Sequence, residues 1–453
     1  MGRLLFSHVE VVYSPIRGFM IKNKSHILTV YALFISILTT YVIMALNFPF
    51  AYIWATYEDL VGEWAQFYFF LLALIISVRL AFSSSAYRLF FALVGLACFY
   101  VVLEEISWGQ RIFGWESPDY FKSQNLQGET NLHNIVTGPY STSIKEAVTY
   151  ILAGGLVAYG LVYPLAKRSG WRFAMWLDAK GLASPPMYLW PFFCTAAFLE
   201  LKPFSFNEAE VAEILVSLAL SIMAMHYYLS EKRQISVHQS ADWSRRDSGR
   251  LAVHVITGFI VVVLLSVATT FYVLASPEGK ERVYIRIENG VEKFASRYER
   301  YEKWEIAERL YEYLLEGDPE YTPLLRKLAR VNEKLGHIDE FDKHLQKALE
   351  ISQERYRKNP DSAAVNRSLA RTYRLMKDEE KADEHLANAL RIGMERTAKD
   401  PQNPDEAYSL GKTYALMGEA SLAFKEFERS FKLEPSSKKF RKAYYNAKKK
   451  IEE

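Results

Sequence analysis

Seven stretches of this chain stay apolar for about the thickness of a lipid bilayer, and all of them end before residue 276. They run over about 26–46, 64–83, 87–107, 147–166, 186–203, 208–229 and 252–275. A helix rises ~1.5 Å per residue, so ~20 apolar residues cross a hydrocarbon core of ~30 Å. In that solvent a backbone must satisfy its own N–H and C=O groups, and a run of this length does so as a helix. The fifth run is short and holds Pro191, and the third counts only if Glu104 and Glu105 lie inside or at the edge of the bilayer. After residue 275 the chain turns rich in Glu, Lys, Arg and Tyr with helical periodicity. The expected fold is all-α: a polytopic transmembrane bundle of about seven helices over 1–275, then a water-facing helical region over 276–453.

Charge in the loops gives an orientation. Fifteen Lys and Arg residues fall at the N-terminus and in the loops on its side of the membrane, against four on the other side (Arg111, Lys122, Lys145 and Lys202). The positive-inside rule places the N-terminus in the cytoplasm, and seven crossings place residues 276–453 outside it. The inner membrane of a bacterium is the expected location, and one crossing more or fewer would reverse the second assignment. Trp171–Leu182 alternates aromatic and basic residues and reads as an amphipathic helix on the cytoplasmic lipid surface, or as an ordinary loop. The net charge of +3 is too small to argue for nucleic acid, so none is expected as a partner. Cys98 and Cys194, the two cysteines, sit in apolar runs without zinc-type spacing. The first apolar run lacks a small-residue cleavage site and reads as a retained anchor.

The polar third is repetitive. Asp318-Pro319, Asn359-Pro360 and Asp400-Pro401 recur every 41 residues, as do Ala329, Ala370 and Gly411. The last unit carries Leu410-Gly411, Tyr414, Gly418, Ala423, Phe427, Ser430 and Pro435. The unit before has Leu369-Ala370, Tyr373, Ala382, Leu386 and Ala389, and the one before that Leu328-Ala329, Gly336, Leu345 and Ala348. A degenerate unit fits Phe294-Ala295, Tyr298, Ala307, Tyr311 and Pro319. These offsets resemble the tetratricopeptide repeat (TPR) family over about 285–436. The resemblance implies an α-solenoid of helix pairs with a concave surface for a protein or peptide partner. Two units exceed the family's usual period by two helical turns, assigned to their second helices. The Lys-rich tail after residue 437 reads as a solvated capping helix.

Carboxylates crowd onto one side in this topology: Glu58, Asp59 and Glu63, then Glu104-Glu105, Glu129 with His133, Glu200, and Glu208, Glu210 and Glu213. Glu104 and Glu105 fall inside the expected hydrocarbon layer, where ionisable groups are costly and mark function by default. If 129–133 is helical, Glu129 and His133 share a face. Glu105, Glu129 and His133 would then form an oxygen/nitrogen shell for a divalent metal. Alternatively, Glu104, Glu105 and His133 would be catalytic, with a desolvated glutamate as general acid or base. Each also has a structural reading: Glu104 and Glu105 neutralised by Arg111, Glu210 as a capping-box partner of Asn207, Glu58, Asp59 and Glu63 merely facing water, and His226 packed in the bundle. Glu104-Glu105 with Arg111 resembles the first motif of the intramembrane CAAX-processing glutamic proteases. That family places Arg four residues after the second Glu, where this chain has Gly109, and adds two histidines from other helices.

Two functions compete. The first is a membrane-anchored TPR adaptor that recruits an extracytoplasmic protein, in envelope or polysaccharide assembly. The second is an integral membrane hydrolase or transferase with the Glu/His site at the outer leaflet. A transporter ranks behind both, since no broken-helix pair or inverted repeat is evident.

Overall fold

The structure, a computed structural model, describes residues 24–57, 59–83, 86–110, 115–118, 120–121, 130, 142–236 and 245–452. Among the described residues the regular structure is helical throughout. Five helical stretches are long and apolar enough to cross a membrane: Ser25–Asn47, Pro49–Ser83, Glu146–Arg168, Glu208–Glu231 and Arg246–Ala275. The other two expected runs fold as shorter helices. The third run is α4 (Arg88–Glu105), charged at both ends. The fifth is an 11-residue helix, α8 (Trp190–Glu200), in which Pro191 takes the first turn. Proline is tolerated there because that N–H has no helical acceptor.

The bundle is α1 (Ser25–Asn47), a short α2 (Pro49–Thr56), α3 (Val61–Ser83), α4, α5 (Thr142–Val157) with its π-helical continuation into α6 (Tyr163–Arg168), α8, α9 (Glu208–Ser236) and α10 (Arg245–Ala275). α3 packs on α4, α9 and α10, while α8 bridges α9 and α5. Phe69, Phe192, Phe193, Leu189 and Leu215 fill the centre. Large hydrophobic side chains also cover the outside: Phe82 is 83% exposed and Leu89 71%. A water-soluble bundle this size would bury them; one in lipid need not. The amphipathic segment is helical, α7 (Arg172–Ala179), with Ala174 buried and Trp171, Phe173 and Trp176 exposed.

Eight helices and a cap form the solenoid: α11 (Pro277–Arg300) with α12 (Trp304–Gly317), α13 (Thr322–Leu335) with α14 (Ile338–Lys358), α15 (Ala363–Leu375) with α16 (Glu379–Lys399), α17 (Pro404–Met417) with α18 (Ala420–Leu433), then α19 (Lys438–Glu452). The two extra turns fall where the sequence puts them: α14 and α16 have 21 residues, α12 and α18 have 14. Asp318, Asn359 and Asp400 cap the second helices with non-helical backbone, ψ 85°, 76° and 82°, since proline disfavours the α region in the residue before it. Asn403 opens α17 by accepting from the N–H groups of Asp405 and Glu406 at 3.0 and 3.4 Å. Small residues bring each pair together: a Cβ on Gly411 would stand 2.8 Å from the Phe427 ring.

Bundle and solenoid share a core. Tyr52, Ile53 and Leu60 pack with Val283, Ile287, Val291 and Phe294. Phe206 adds rings on Phe294, Tyr298 and Tyr301. Asp59 is 1% exposed and paired with Arg286 at 2.8 Å. It does not face water, as the sequence suggested; its charge is held by a partner from α11. Tyr298 donates to the Ala45 carbonyl and Lys293 to Asn207 at 3.0 Å. One residue, Ser276, separates α10 from α11, and its hydroxyl caps α11 by accepting from Gly279 N–H at 3.1 Å.

Candidate functional site

The acid-rich end of the bundle is organised by an amide. Gln66, on the first turns of α3, is 3% exposed. Its Nε2 donates to Glu105 Oε1 at 3.0 Å, and Glu213 of α9 lies close to the same side chain. Glu63, one turn before Gln66, and Glu200 at the end of α8 lie within electrostatic reach of Glu213, with Lys202 as the nearby cation. Carboxylates from α3, α4, α8 and α9 therefore gather at one level. A buried amide that donates to one carboxylate and lies close to another offsets part of their mutual repulsion.

The two adjacent glutamates part company. Glu104 accepts from Trp108 Nε1 at 2.6 Å, while Glu105 turns to Gln66. Consecutive helical residues point ~100° apart, so they cannot share one small site without unwinding. Immediately beyond, Ser107, Trp108 and Gly109 have φ of 48°, 55° and 91°. Two non-glycine residues in that region store strain that the surrounding packing must hold. Gln110 then accepts from Thr130 N–H at 2.8 Å and from Ser117 at 3.1 Å, which brings residue 130 back to the end of α4. Glu129 and His133 lie outside the described residues, as does Arg111. Among the described residues, no three His, Cys, Asp or Glu side chains converge as a metal would require.

Other sequence candidates have different work. Glu208 takes the N–H groups of Phe204, Ser205 and Phe206 and so builds the turn into α9. At the opposite end, His26 Nδ1 lies 2.7 Å from Ser248 Oγ, and His226 Nδ1 lies 3.0 Å from Tyr188 Oη. The His26 and Tyr188 rings pack edge to face. These groups satisfy one another inside the bundle, which fits the packing role read for His226.

The solenoid offers a second surface. First helices of successive repeats (α13, α15, α17) pack against each other more closely than the second helices do, so the stack curves with the first helices inside. Two arginines staple that face. Arg326 reaches Ser368 Oγ at 3.1 Å and Thr372 Oγ1 at 3.3 Å; Arg367, one period later, reaches Ser409 Oγ at 3.2 Å and Thr413 Oγ1 at 2.9 Å. The sequence reading followed small and aromatic positions and passed over these polar ones. The signal was available, because Arg, Ser and Thr recur at the same 41-residue spacing. A cavity of about 440 Å³ opens on the same face, between Arg326, Arg330, Arg371, Arg374 and the apolar Pro323 and Leu416.

Residues 321–395 match the tetratricopeptide repeat family. Among solved structures the chain is similar to a thermophilic TPR protein of Thermus thermophilus, at 21% identity over 36% of this chain and 82% of that one, with a TM-score of 0.21. It is also similar to the MamA protein, at 18% identity over 36% of this chain and 88% of that one, with a TM-score of 0.17. No curated protein matches the sequence.

Proposed function

We propose that this chain, whose C-terminal part is built of tetratricopeptide repeats, is a membrane-anchored interaction protein that presents the inner face of its solenoid to an extracytoplasmic protein partner. TPR proteins generally bind other proteins. The observation that carries the reading is the shared core at the junction: Leu60, Val283, Val291 and Phe294 are all 0% exposed, and Asp59 is sealed beneath Arg286. A solenoid packed this way is held at one end of the apolar bundle and keeps a fixed attitude to it. The distribution of Lys and Arg supports the extracytoplasmic side. The test is site-specific photocrosslinking in cells. A crosslinker at Leu375, inside the curve, is expected to trap one defined protein, and one at Glu395, on the outside, is not. Equal or absent trapping at both positions contradicts the proposal.

A second reading has its own observation, the Glu105 carboxylate held by the buried Gln66 amide close to Glu213. Two carboxylates beside a strained turn could perform acid–base chemistry at the membrane face, as a hydrolase or transferase requires. Glu105→Gln and Glu213→Gln decide it. Normal insertion with lost function supports a site; normal function removes it.

A further inference from the structure

We propose that α7 lies in the headgroup layer of the leaflet on the N-terminal side of the bundle and gathers anionic phospholipid around Arg88, Arg168, Arg172 and Lys180. The inference rests on the membrane-anchored reading and names the lipid that this end of the bundle selects.

Connectivity fixes where α7 can be. Two residues and the capping Trp171 separate it from α6, which ends a stretch apolar enough to cross a membrane. Gly170 makes the turn with φ of 73°, and Trp171 N–H closes it on the Ala166 carbonyl at 2.9 Å. At the far end Gly181 has φ of 89° and fits against the turn between α3 and α4, where a Cβ would stand 2.7 Å from the Ala86 carbonyl oxygen. Asp178 ties the helix down, pairing with Lys167 of α6 at 2.5 Å and accepting from Tyr87 Oη at 3.1 Å. A helix of eight residues is ~12 Å long. Held at both ends to the termini of other helices, it lies across the end of the bundle.

Its outward face has the composition of a lipid interface. α7 buries Ala174, while Trp171, Phe173, Met175 and Trp176 are between 46% and 57% exposed. The Phe173 and Trp176 rings stack with centroids 5.7 Å apart, and Trp171 leans on Phe173 at 6.0 Å. Indole rings, apolar with one N–H donor, settle where hydrocarbon meets headgroups. The outer surface of the bundle runs straight into this face, because the exposed Phe82 and Leu89 flank the turn that Gly181 touches.

Charge chooses among lipids. Arg88, Arg168, Arg172 and Lys180 are all exposed, and among the described residues none of them has an ion pair. The acids of this corner are already used: Asp178 by Lys167 and Tyr87, and Glu231 by Ser83 at 2.9 Å. Long basic side chains reach from an apolar surface to headgroup phosphates. A cluster of four cations beside a membrane helix favours anionic lipid, by roughly fivefold per cation. A soluble acidic protein would offer the same charge, but its place beside the aromatic face is where the lipid around Phe82 and Leu89 already stands.

The test uses the full chain in nanodiscs, in a background lacking Cys98 and Cys194, with an environment-sensitive fluorophore on Met175→Cys. Quenching by brominated phosphatidylglycerol is compared with quenching by brominated phosphatidylcholine at equal mole fraction. Both lipids are expected to quench, the anionic one about fivefold or more efficiently at low salt, with the preference shrinking as salt rises. R172E/K180E should still be quenched but lose the preference, and R172K/K180R, which keeps the charges, should retain it. Equal quenching by the two lipids with the natural cations in place overturns the proposal. So does a preference that survives in R172E/K180E, and so does an absence of quenching by either lipid, which would put the face against water or protein. The same fluorophore on Phe82→Cys tells the two readings apart. Quenching at 82 without quenching at 175 sinks the α7 proposal and leaves the membrane anchor; no quenching at either position sinks both.

Discussion

The bundle and the solenoid are both helix throughout, yet they are turned inside out relative to each other. In the bundle, Phe82 and Leu89 point outward while Gln66, Ser77 and Ser221 are buried. Ser221 meets its need by donating to the Phe69 carbonyl at 2.7 Å. In the solenoid, Leu310, Tyr311, Leu325 and Leu328 are wholly buried, and the surface is charge. The same α-helix thus serves two solvents, and the difference teaches where each half spends its polar groups. The bundle hides a few and satisfies Gln66 and Ser221 internally, while the Ser77 hydroxyl has no hydrogen-bond partner among the described residues. The solenoid exposes many and pairs many of them across its surface. The two logics meet at Asp59, a charge on the bundle side buried by a solenoid arginine.

Breaking that meeting point should cost most. Asp59→Ala removes the buried carboxylate from Arg286, whose side chain is 18% exposed, and should cost about 1–3 kcal/mol, less than the loss of one partner from a fully buried pair. Hydrogen exchange should show α11 losing protection while α17 and α18 keep theirs. Unchanged protection of α11 would mean the pair is ornamental. Next is Gly411→Val inside the solenoid, which drives side-chain atoms into Phe427. Overpacking of this kind costs about 1–3 kcal/mol, and thermal unfolding should show the last repeat melting first. Phe82→Val, on the outer surface of the bundle, should by contrast change little.

Removing a staple sharpens the contrast more gently. Arg367→Met deletes the bonds to Ser409 and Thr413 and should cost about 1–2 kcal/mol, read as loosened exchange between α15 and α17. The smallest effect is a pH dependence. Lys412 faces Arg367 and Arg371 of α15, Lys439 of α19, and Asp405 and Tyr408 of its own helix. Its ammonium titrates at about 8 in the fold and 10.5 ordinarily. Between those values the unfolded chain binds more protons, so stability should rise with pH across this window. Lys412→Arg should flatten the curve; a flat wild-type curve would remove the effect.

Much of the architecture was legible because it is written in periods. Apolar run length announces helices long and apolar enough to cross a membrane, and a 41-residue recurrence announces the helix pairs, down to the longer α14 and α16. What escaped is what depends on distant partners. Nothing near Asp59 in sequence foretells Arg286, 227 residues away. The acids of α4 and α9 could be placed at one level by counting residues, so Glu105 and Glu213 were within reach. The amide between them was not, since Gln66 is simply one polar residue in an apolar helix. Glu104 looked equivalent to Glu105 until Trp108 claimed it. The fifth apolar run overstated its helix because Pro191 begins α8 instead of interrupting it.

The junction carries the account, and a distance measurement addresses it directly. Spin labels at Lys180→Cys, far from the junction in the bundle, and Glu395→Cys, on the solenoid, in a background lacking Cys98 and Cys194, can be compared by pulsed electron resonance in nanodiscs. A solenoid fixed through α2 and α11 gives one narrow distance distribution, which broadens on Asp59→Ala. A broad distribution in the unaltered junction would contradict the account, because the solenoid would then swing freely from its anchor.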